Sequence, residues 1–350
     1  MADKAIPRPE RREAFYRDLE RENLGPLWES LHRMVPTEPA PRGRPIGWDY
    51  DNVIRRRLMQ AGELISARDA GRRVLMLQNP GFAPQVQATG GLYAGVQMIL
   101  PGEVAPAHRH TQAAIRFILE GQGAYTAVEG ERTLMSPGDF VTTASWTWHD
   151  HGNGSDGPMV WLDVLDLPIM AALGATFLEA SNAEEHPVTR PVGDSADRYG
   201  RNLFPVDWKP SGPSSPIFNY PYARTREVLA IMARNGEPDP CHGHKMRYVN
   251  PATGGHVMPT MGAFAQLLPA GMATAPYRST DGGVHVVTEG EGETRFADGS
   301  VIRWKPRDIF VVPGWALHTH HPRTEAVLFS VSDRPVHEAL AVWREERRSR

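Results

Sequence analysis

Two stretches of this 350-residue chain repeat one another's turn residues, without a gap, at an offset of 169 positions. With Gly102 set on Gly271, Glu120-Gly121 falls on Glu289-Gly290, Gly123 on Gly292, Gly130 on Gly299, Pro137 on Pro306, Asp139 on Asp308, Trp146 on Trp315 and His149 on His318. Glycine and proline mark turns because of the backbone angles they allow or impose, so their recurrence in register identifies a supersecondary unit used twice. What lies between the turns is strand-like. Tyr93, Gly95 and Gln97 alternate with Ala94, Val96 and Met98, residues 115–119 are mostly apolar, Glu129-Gly130-Glu131 makes a hairpin tip and Pro137-Gly138-Asp139 a second turn. The expected fold is all-β, with the same small barrel built twice.

The first copy carries chemistry that the second lacks. His108 and His110 are two residues apart, which on a strand puts both imidazoles on one face, and His149 arrives on a later strand. In the second copy the first two positions are Tyr277 and Ser279, so a single metal centre is expected, in the first barrel. Three imidazoles with open positions suit zinc in a hydrolytic centre, or iron(II) with adjacent positions for a substrate and dioxygen. Spacing does not separate these two. The positions where a carboxylate ligand would follow His110 hold Ala113, Ala114 and Ile115. A metal without that carboxylate keeps its full charge until a ligand binds, which favours an anionic chelator. Arg116 shares the parity of His110, and its planar fork fits a carboxylate, a structural ion pair with Asp163 or Glu103 being the competing use. His151 shares the parity of His149 and faces the same lumen. A lumen-facing Gln97 needs a partner, ligand or protein, because a buried amide left alone costs about 1–3 kcal/mol.

The text around these residues narrows the picture. Gly102 followed by His-x-His, the Pro137-Gly138-Asp139 turn, and His149 with Asn153 four residues on resemble the paired motifs of the cupin superfamily. His108-Arg109-His110-Thr111-Gln112, Arg116-Phe117 and Ser145-Trp146-Thr147-Trp148-His149-Asp150-His151-Gly152-Asn153 resemble the gentisate 1,2-dioxygenase family, which includes salicylate and 1-hydroxy-2-naphthoate dioxygenases. Leu27-Trp28-Glu29, Tyr93-Ala94-Gly95, Gly243-His244-Lys245 and Arg247-Tyr248-Val249-Asn250-Pro251 extend the likeness over most of the chain. The resemblance implies a bicupin, two double-stranded β-helix (jelly-roll) barrels with short helices at the N-terminus, between the barrels and at the C-terminus. It implies that His108, His110 and His149 bind iron(II), while Arg116, His151, Gln97, Arg72 and Asp163 line the substrate pocket. In the implied reaction, gentisate (2,5-dihydroxybenzoate) chelates the iron through its carboxylate and ortho hydroxyl, and dioxygen takes a remaining position. The ring then opens between the carbons bearing those groups, giving maleylpyruvate. Arg116 would hold the carboxylate, His151 would hydrogen-bond the chelating oxygen or the dioxygen, and Tyr93 would contact the ring. Salicylate, a 5-substituted salicylate or 1-hydroxy-2-naphthoate is the alternative substrate, and a non-catalytic bicupin that binds an aromatic acid is the alternative of another class. The resemblance also suggests a homotetramer.

Taken in order, the chain divides into an N-terminal helical arm (1–70), a catalytic barrel (71–170), a connector with a short helix (171–255), a second barrel without a metal site (256–335) and a C-terminal helix or tail (336–350). Phe15, Leu19, Leu24, Leu27, Trp28 and Leu31 recur at helical spacing around Gly25-Pro26, which predicts two short amphipathic helices. Further helices are expected over 54–64 and 225–235. A net charge of −3 and a pI near 6.5 argue against a nucleic-acid partner. Cys241 alone makes no internal disulfide, Met1-Ala2-Asp3-Lys4 leads into charged sequence, and no run approaches the roughly 20 apolar residues that span a bilayer. The expectation is a cytoplasmic protein away from membranes. Cys241-His242-Gly243-His244 is a tempting second metal motif, for which a structural role is expected.

Overall fold

The structure, a computed structural model, describes residues 8–183 and 185–349. Met1-Ala2-Asp3-Lys4 lies outside them. The chain forms two units, the first ending at Ala40 and the second running from Pro41.

The first unit holds α1 (Arg8–Arg21) and α2 (Leu27–Met34), separated by the expected Gly25-Pro26 break. Trp28 Nε1 donates to the Tyr16 hydroxyl at 2.9 Å, and Arg12 and Tyr16 both reach the Glu29 carboxylate. Phe15, Leu27, Trp28 and Leu31 remain exposed.

In the second unit, each repeat supplies eleven strands among the described residues. The first repeat contributes β1 (Ile46–Trp48), β2 (Val74–Met76), β3 (Tyr93–Ile99), β4 (Val104–His110), β5 (Ala114–Glu120) and β6 (Ala124–Val128). It continues with β7 (Glu131–Leu134), β8 (Phe140–Thr143), β9 (His149–Asn153), β10 (Met159–Leu165) and β11 (Leu178–Ala180). The second contributes β12 (Asn219–Tyr220), β13 (His244–Arg247), β14 (Gly262–Leu268), β15 (Tyr277–Ser279), β16 (Gly283–Glu289) and β17 (Gly292–Phe296). It ends with β18 (Val301–Trp304), β19 (Ile309–Val312), β20 (His318–Pro322), β21 (Ala326–Ser332) and β22 (Glu345–Arg347). Helices α3 (Arg56–Leu64), α4 (Ala67–Ala70), α5 (Leu167–Ala172), α6 (Asp194–Tyr199), α7 (Tyr222–Asn235) and α8 (Arg334–Ala339) fill the connections.

The two barrels have the same topology. The sheets β12-β8-β5-β10-β3-β2 and β11-β4-β9-β6-β7 build one, and β1-β19-β16-β21-β14-β13 and β22-β15-β20-β17-β18 build the other. The opening strands are exchanged: β1 pairs with β19 of the second barrel, and β12 with β8 of the first. Repeat-matched carboxylates secure both exchanges. Tyr50 N donates to Asp308 at 2.9 Å and Tyr222 N to Asp139 at 2.8 Å, while their hydroxyls reach Glu120 and Glu289 at 2.9 and 2.5 Å. Asp166 accepts from Ala113 N at 2.9 Å and from the Thr260 hydroxyl at 2.6 Å, and Asp333 accepts from Gly282 N at 3.0 Å and from Gly91 N. Each aspartate thereby ties its own barrel to the other. Phe117 stacks on Phe329 at 4.5 Å within a core that both barrels share.

Four expectations change. Residues 336–350 are not a helix with a solvated tail: α8 is short, and β22 adds to β15, because the edge of that sheet offers backbone partners that local propensity does not reveal. The span assigned to the helical arm contains β1. The gapless repeat slips by one residue at β6, where Asn153 faces Ala124 while its mate Pro322 faces Gly292. Strand pairing fixes register on both sides, so the odd residue is absorbed by the turn after β17, longer than the two-residue Glu129-Gly130 turn after β6. The expected helix at 225–235 is α7, but of Val228, Leu229, Ile231 and Met232 only Leu229 is buried.

Candidate metal centre

Antiparallel pairing brings the three histidines together. His108 on β4 faces His149 on β9, and His110, two residues on, shares the face of His108. Ring centroids lie 5.3 Å (His108 and His110), 4.1 Å (His108 and His149) and 4.9 Å (His110 and His149) apart. One nitrogen from each lies within 4.8 Å of the other two, the spacing of a shared metal ion.

The surroundings prepare these rings as ligands. His108 Nδ1 lies 3.2 Å from the Pro106 carbonyl, His110 Nδ1 2.8 Å from that of Gln112, and His149 Nδ1 2.9 Å from that of Thr147. A carbonyl only accepts, so these contacts put the proton on Nδ1 and leave the Nε2 lone pair for a metal. The buried Nε2 of His149 has no hydrogen-bond partner among the described residues. Burial lowers the His108 pKa to about 2, with Arg72 adding repulsion, lowers that of His110 to about 4, and pushes His149 well below its usual value. All three rings are neutral at neutral pH, as metal binding requires. Arg72 Nη2 stands 2.8 Å from His108 Nδ1. A guanidinium only donates, so this contact and the Pro106 contact require opposite tautomers; ligation through Nε2 selects the Pro106 one and releases Arg72 to another acceptor.

The polar wall of the lumen comes from β3, β5, β9 and β10. Arg116 and Asp163 face each other across β5 and β10, with Arg116 Nε 3.0 Å from Asp163 Oδ1, and both are buried. The contact is an ion pair without a directed hydrogen bond, since neither atom has a hydrogen-bond partner. Arg116 Nη1 also donates to the Thr143 hydroxyl at 2.7 Å, and Trp161 Nε1 donates to Asp163 Oδ2 at 2.9 Å. Glu103 is engaged by Arg73, so of the two acids weighed for Arg116 the partner is Asp163. Among the described residues Arg72 forms no ion pair with a carboxylate, and burial with repulsion from Arg116 lowers its pKa to about 10. Two guanidiniums therefore face one carboxylate, an excess of positive charge beside the histidines. Gln97 Nε2 and His151 Nε2 are buried and, among the described residues, have no hydrogen-bond partner. Burial keeps the His151 ring neutral, and its Nδ1 lies 3.0 Å from the Thr126 hydroxyl. Tyr93 stands on the face of Gln97, where burial and Asp163 raise its pKa to about 12. Trp148 turns away from the lumen, stacking on His186 and under Arg109.

All nine residues singled out from the sequence, His108, His110, His149, Arg116, His151, Gln97, Arg72, Asp163 and Tyr93, thus belong to strands or strand ends around one barrel lumen. Sequence reasoning missed Thr126 and Thr143, which orient His151 and Arg116. Period-two alternation on β6 and β8 was the available signal.

Comparisons with known proteins agree with this geometry. Residues 95–165 match the cupin domain family. The chain is 52% identical to gentisate 1,2 dioxygenase 1 of Aquipseudomonas alcaligenes, covering 96% of each. It is 36% identical to a 5-aminosalicylate 1,2-dioxygenase of a Comamonas species, over 95% of this chain and 90% of that one. The crystal structure of salicylate 1,2-dioxygenase from Pseudoaminobacter salicylatoxidans, an adduct with gentisate, superposes with a TM-score of 0.91 at 33% identity, covering 100% of this chain and 96% of that one.

Proposed function

This chain belongs to the gentisate 1,2-dioxygenase family of bicupin ring-cleaving dioxygenases, and on that premise we propose that it opens the ring of gentisate between the carbons bearing the carboxylate and the ortho hydroxyl, giving maleylpyruvate. The observation that carries the reading is the convergence of three neutral imidazoles, two buried and one half-buried, beside an excess of guanidinium charge. His108, His110 and His149 would hold iron(II). When bound, that ion supplies a chelation point for a hydroxy-acid and the redox chemistry by which both atoms of dioxygen enter the product.

The chain's own groups do the rest. Arg116, oriented by Asp163 and Thr143, meets the substrate carboxylate, and Arg72 adds a second donor once it leaves His108. Gln97 Nε2 offers a donor that no protein group uses. Neutral His151 presents Nε2 beside the histidine cluster, its ring 5.7 Å from that of His149. The Thr126 contact at Nδ1 is compatible with the tautomer whose Nε2 carries the proton, and in that form Nε2–H donates a hydrogen bond to the reacting oxygens. Tyr93 lies against the ring of the substrate. The relatives described above are dioxygenases, so the non-catalytic alternative falls away.

The choice of gentisate follows the greater identity to a gentisate enzyme, 52% against 36% for the 5-aminosalicylate enzyme. Oxygen uptake with gentisate, salicylate, 5-aminosalicylate and 1-hydroxy-2-naphthoate tests it. Gentisate should give the highest kcat/KM; turnover of salicylate with none of gentisate would replace the substrate while keeping the chemistry. We place the enzyme in the cytoplasm as a homotetramer, supported by its single cysteine and by the exposed apolar faces of α1 and α2. Among the described residues no helix is long and apolar enough to cross a membrane. Light scattering at micromolar concentration should report four chains, and a monomer would refute the assembly.

A further inference from the structure

The second barrel has lost two ligand positions but not its polar lumen. Gln266 stands where Gln97 does, His285 where Arg116 does, and His318 and His320 where His149 and His151 do, each 169 residues on. A cation is present as well. Lys245 on β13 faces Gln266, whereas in the first barrel Val74 on β2 faces Gln97. These side chains line a cavity of about 50 Å³.

Several of its groups are unsatisfied. Among the described residues the Lys245 ammonium has no hydrogen bond or ion pair, and it rests 5.1 Å from the centre of the Phe264 ring. The nearby Asp281 is held by Ser332 and by Trp343 Nε1 at 2.9 Å. Gln266 is 1% exposed and directs Nε2 to the His242 carbonyl, leaving Oε1 without a partner, and the buried Nδ1 of His285 has none either. Thr294 fixes the tautomer of His320. Its oxygen accepts from Trp304 Nε1 at 3.1 Å, and among the described residues the acceptor its own proton meets is His320 Nδ1 at 2.9 Å, the tautomer that leaves His320 Nε2 as a donor. The first barrel has Met135 in place of Trp304 and no such constraint.

We propose that the lumen of the second barrel is a metal-free binding site for a small carboxylate anion, held by Lys245 and by His320 Nε2–H. A solitary ammonium and a fixed N–H donor match the two oxygens of a carboxylate. Size restricts the ligand: at about 10–15 Å³ for each water, the cavity holds a few waters or an anion the size of acetate, not an aromatic ring. The site is thus distinct in ligand from the first lumen.

Acetate is the probe, followed by isothermal titration on iron-loaded wild type and on His149→Ala. The expected result is one acetate site per chain that survives His149→Ala and weakens at least tenfold when Lys245→Met is added. Gln266→Met, which keeps Lys245, should retain the site, so that a loss with Lys245→Met reports the charge rather than a disturbed lumen; matching thermal midpoints confirm that both variants fold. Loss of all acetate binding in His149→Ala, or binding unchanged by Lys245→Met, would overturn the proposal.

Discussion

The two barrels share their topology, their shared core and much of their inner wall, yet differ at the positions that decide chemistry. Gln97, His149 and His151 persist as Gln266, His318 and His320, while His108, His110, Arg116 and Asp163 become Tyr277, Ser279, His285 and Ser330, the last by its pairing with His285. Even the flanking cation–π contacts recur: Arg109 lies 4.5 Å over Trp146 and Arg278 lies 4.4 Å over Trp315. Both tryptophans have positive φ, 61° and 58°, so this turn is built alike in the two barrels. The comparison separates two requirements. A polar lumen is compatible with the barrel whether or not three histidines meet in it; the histidine cluster needs two further imidazoles on one strand, and the first barrel adds an arginine–aspartate pair.

The largest expected effect, short of removing a ligand, comes from the pair that only the first barrel has. Arg116→Ala should leave iron content intact while costing about 2–5 kcal/mol of substrate interaction, read as a rise in KM. It also strands Asp163, so about 3–5 kcal/mol of stability should be lost. Adding Asp163→Asn should return much of that stability without restoring affinity, because the second barrel already accommodates the neutral Ser330 there. Recovery of affinity in the double variant would mean that Arg116 does not anchor the carboxylate.

A smaller and differently shaped loss is expected at His151. His151→Ala should lower kcat more than it raises KM, as follows from the proposed action of the ring on the reacting oxygens rather than on ground-state binding. The mate His320 should show no effect on kcat when changed to Gln. A KM-only change in His151→Ala would assign that ring to binding.

Acid stability gives the smallest effect and one that both barrels share. The His110 and His318 pKa values are lowered by burial to about 4, against roughly 6.5 in an unfolded chain. The unfolded state therefore takes up protons that the native state refuses. Stability is fully present above about pH 6.5 and falls as pH drops toward 4. Thermal midpoints of the metal-free enzyme should decline across that window, and His318→Gln should flatten the decline. An unchanged slope would show that His318 is not buried as a neutral ring.

Much of this was legible in the sequence because its signals were local and periodic. His108 and His110 are two apart on a strand, His149 opens another, and the turn glycines mark the repeat. The shell of the second lumen was legible too, in the register that relates the turns, had it been carried from glycines to Gln266, His285 and His320. Lys245 was not, because its mate is Val74 and the offset there is set by strand pairing. The exchange of β1 and β12 was not legible either: these strands have three and two residues, and their partners are chosen by tertiary contacts rather than by their own propensity. The partner of Arg116 lay between these cases, since Asp163 shared its face but competed with Glu103 until Arg73 was seen to occupy the latter.

The account rests on one metal centre, placed in the first barrel. Iron per chain, measured by elemental analysis after anaerobic loading of His149→Ala and His318→Ala, tests that placement directly. His149→Ala should retain almost no iron and no turnover, while His318→Ala should keep both close to wild type. Iron lost from a folded His318→Ala protein and kept by His149→Ala would put the centre in the other barrel and remove the roles given to Arg116 and His151.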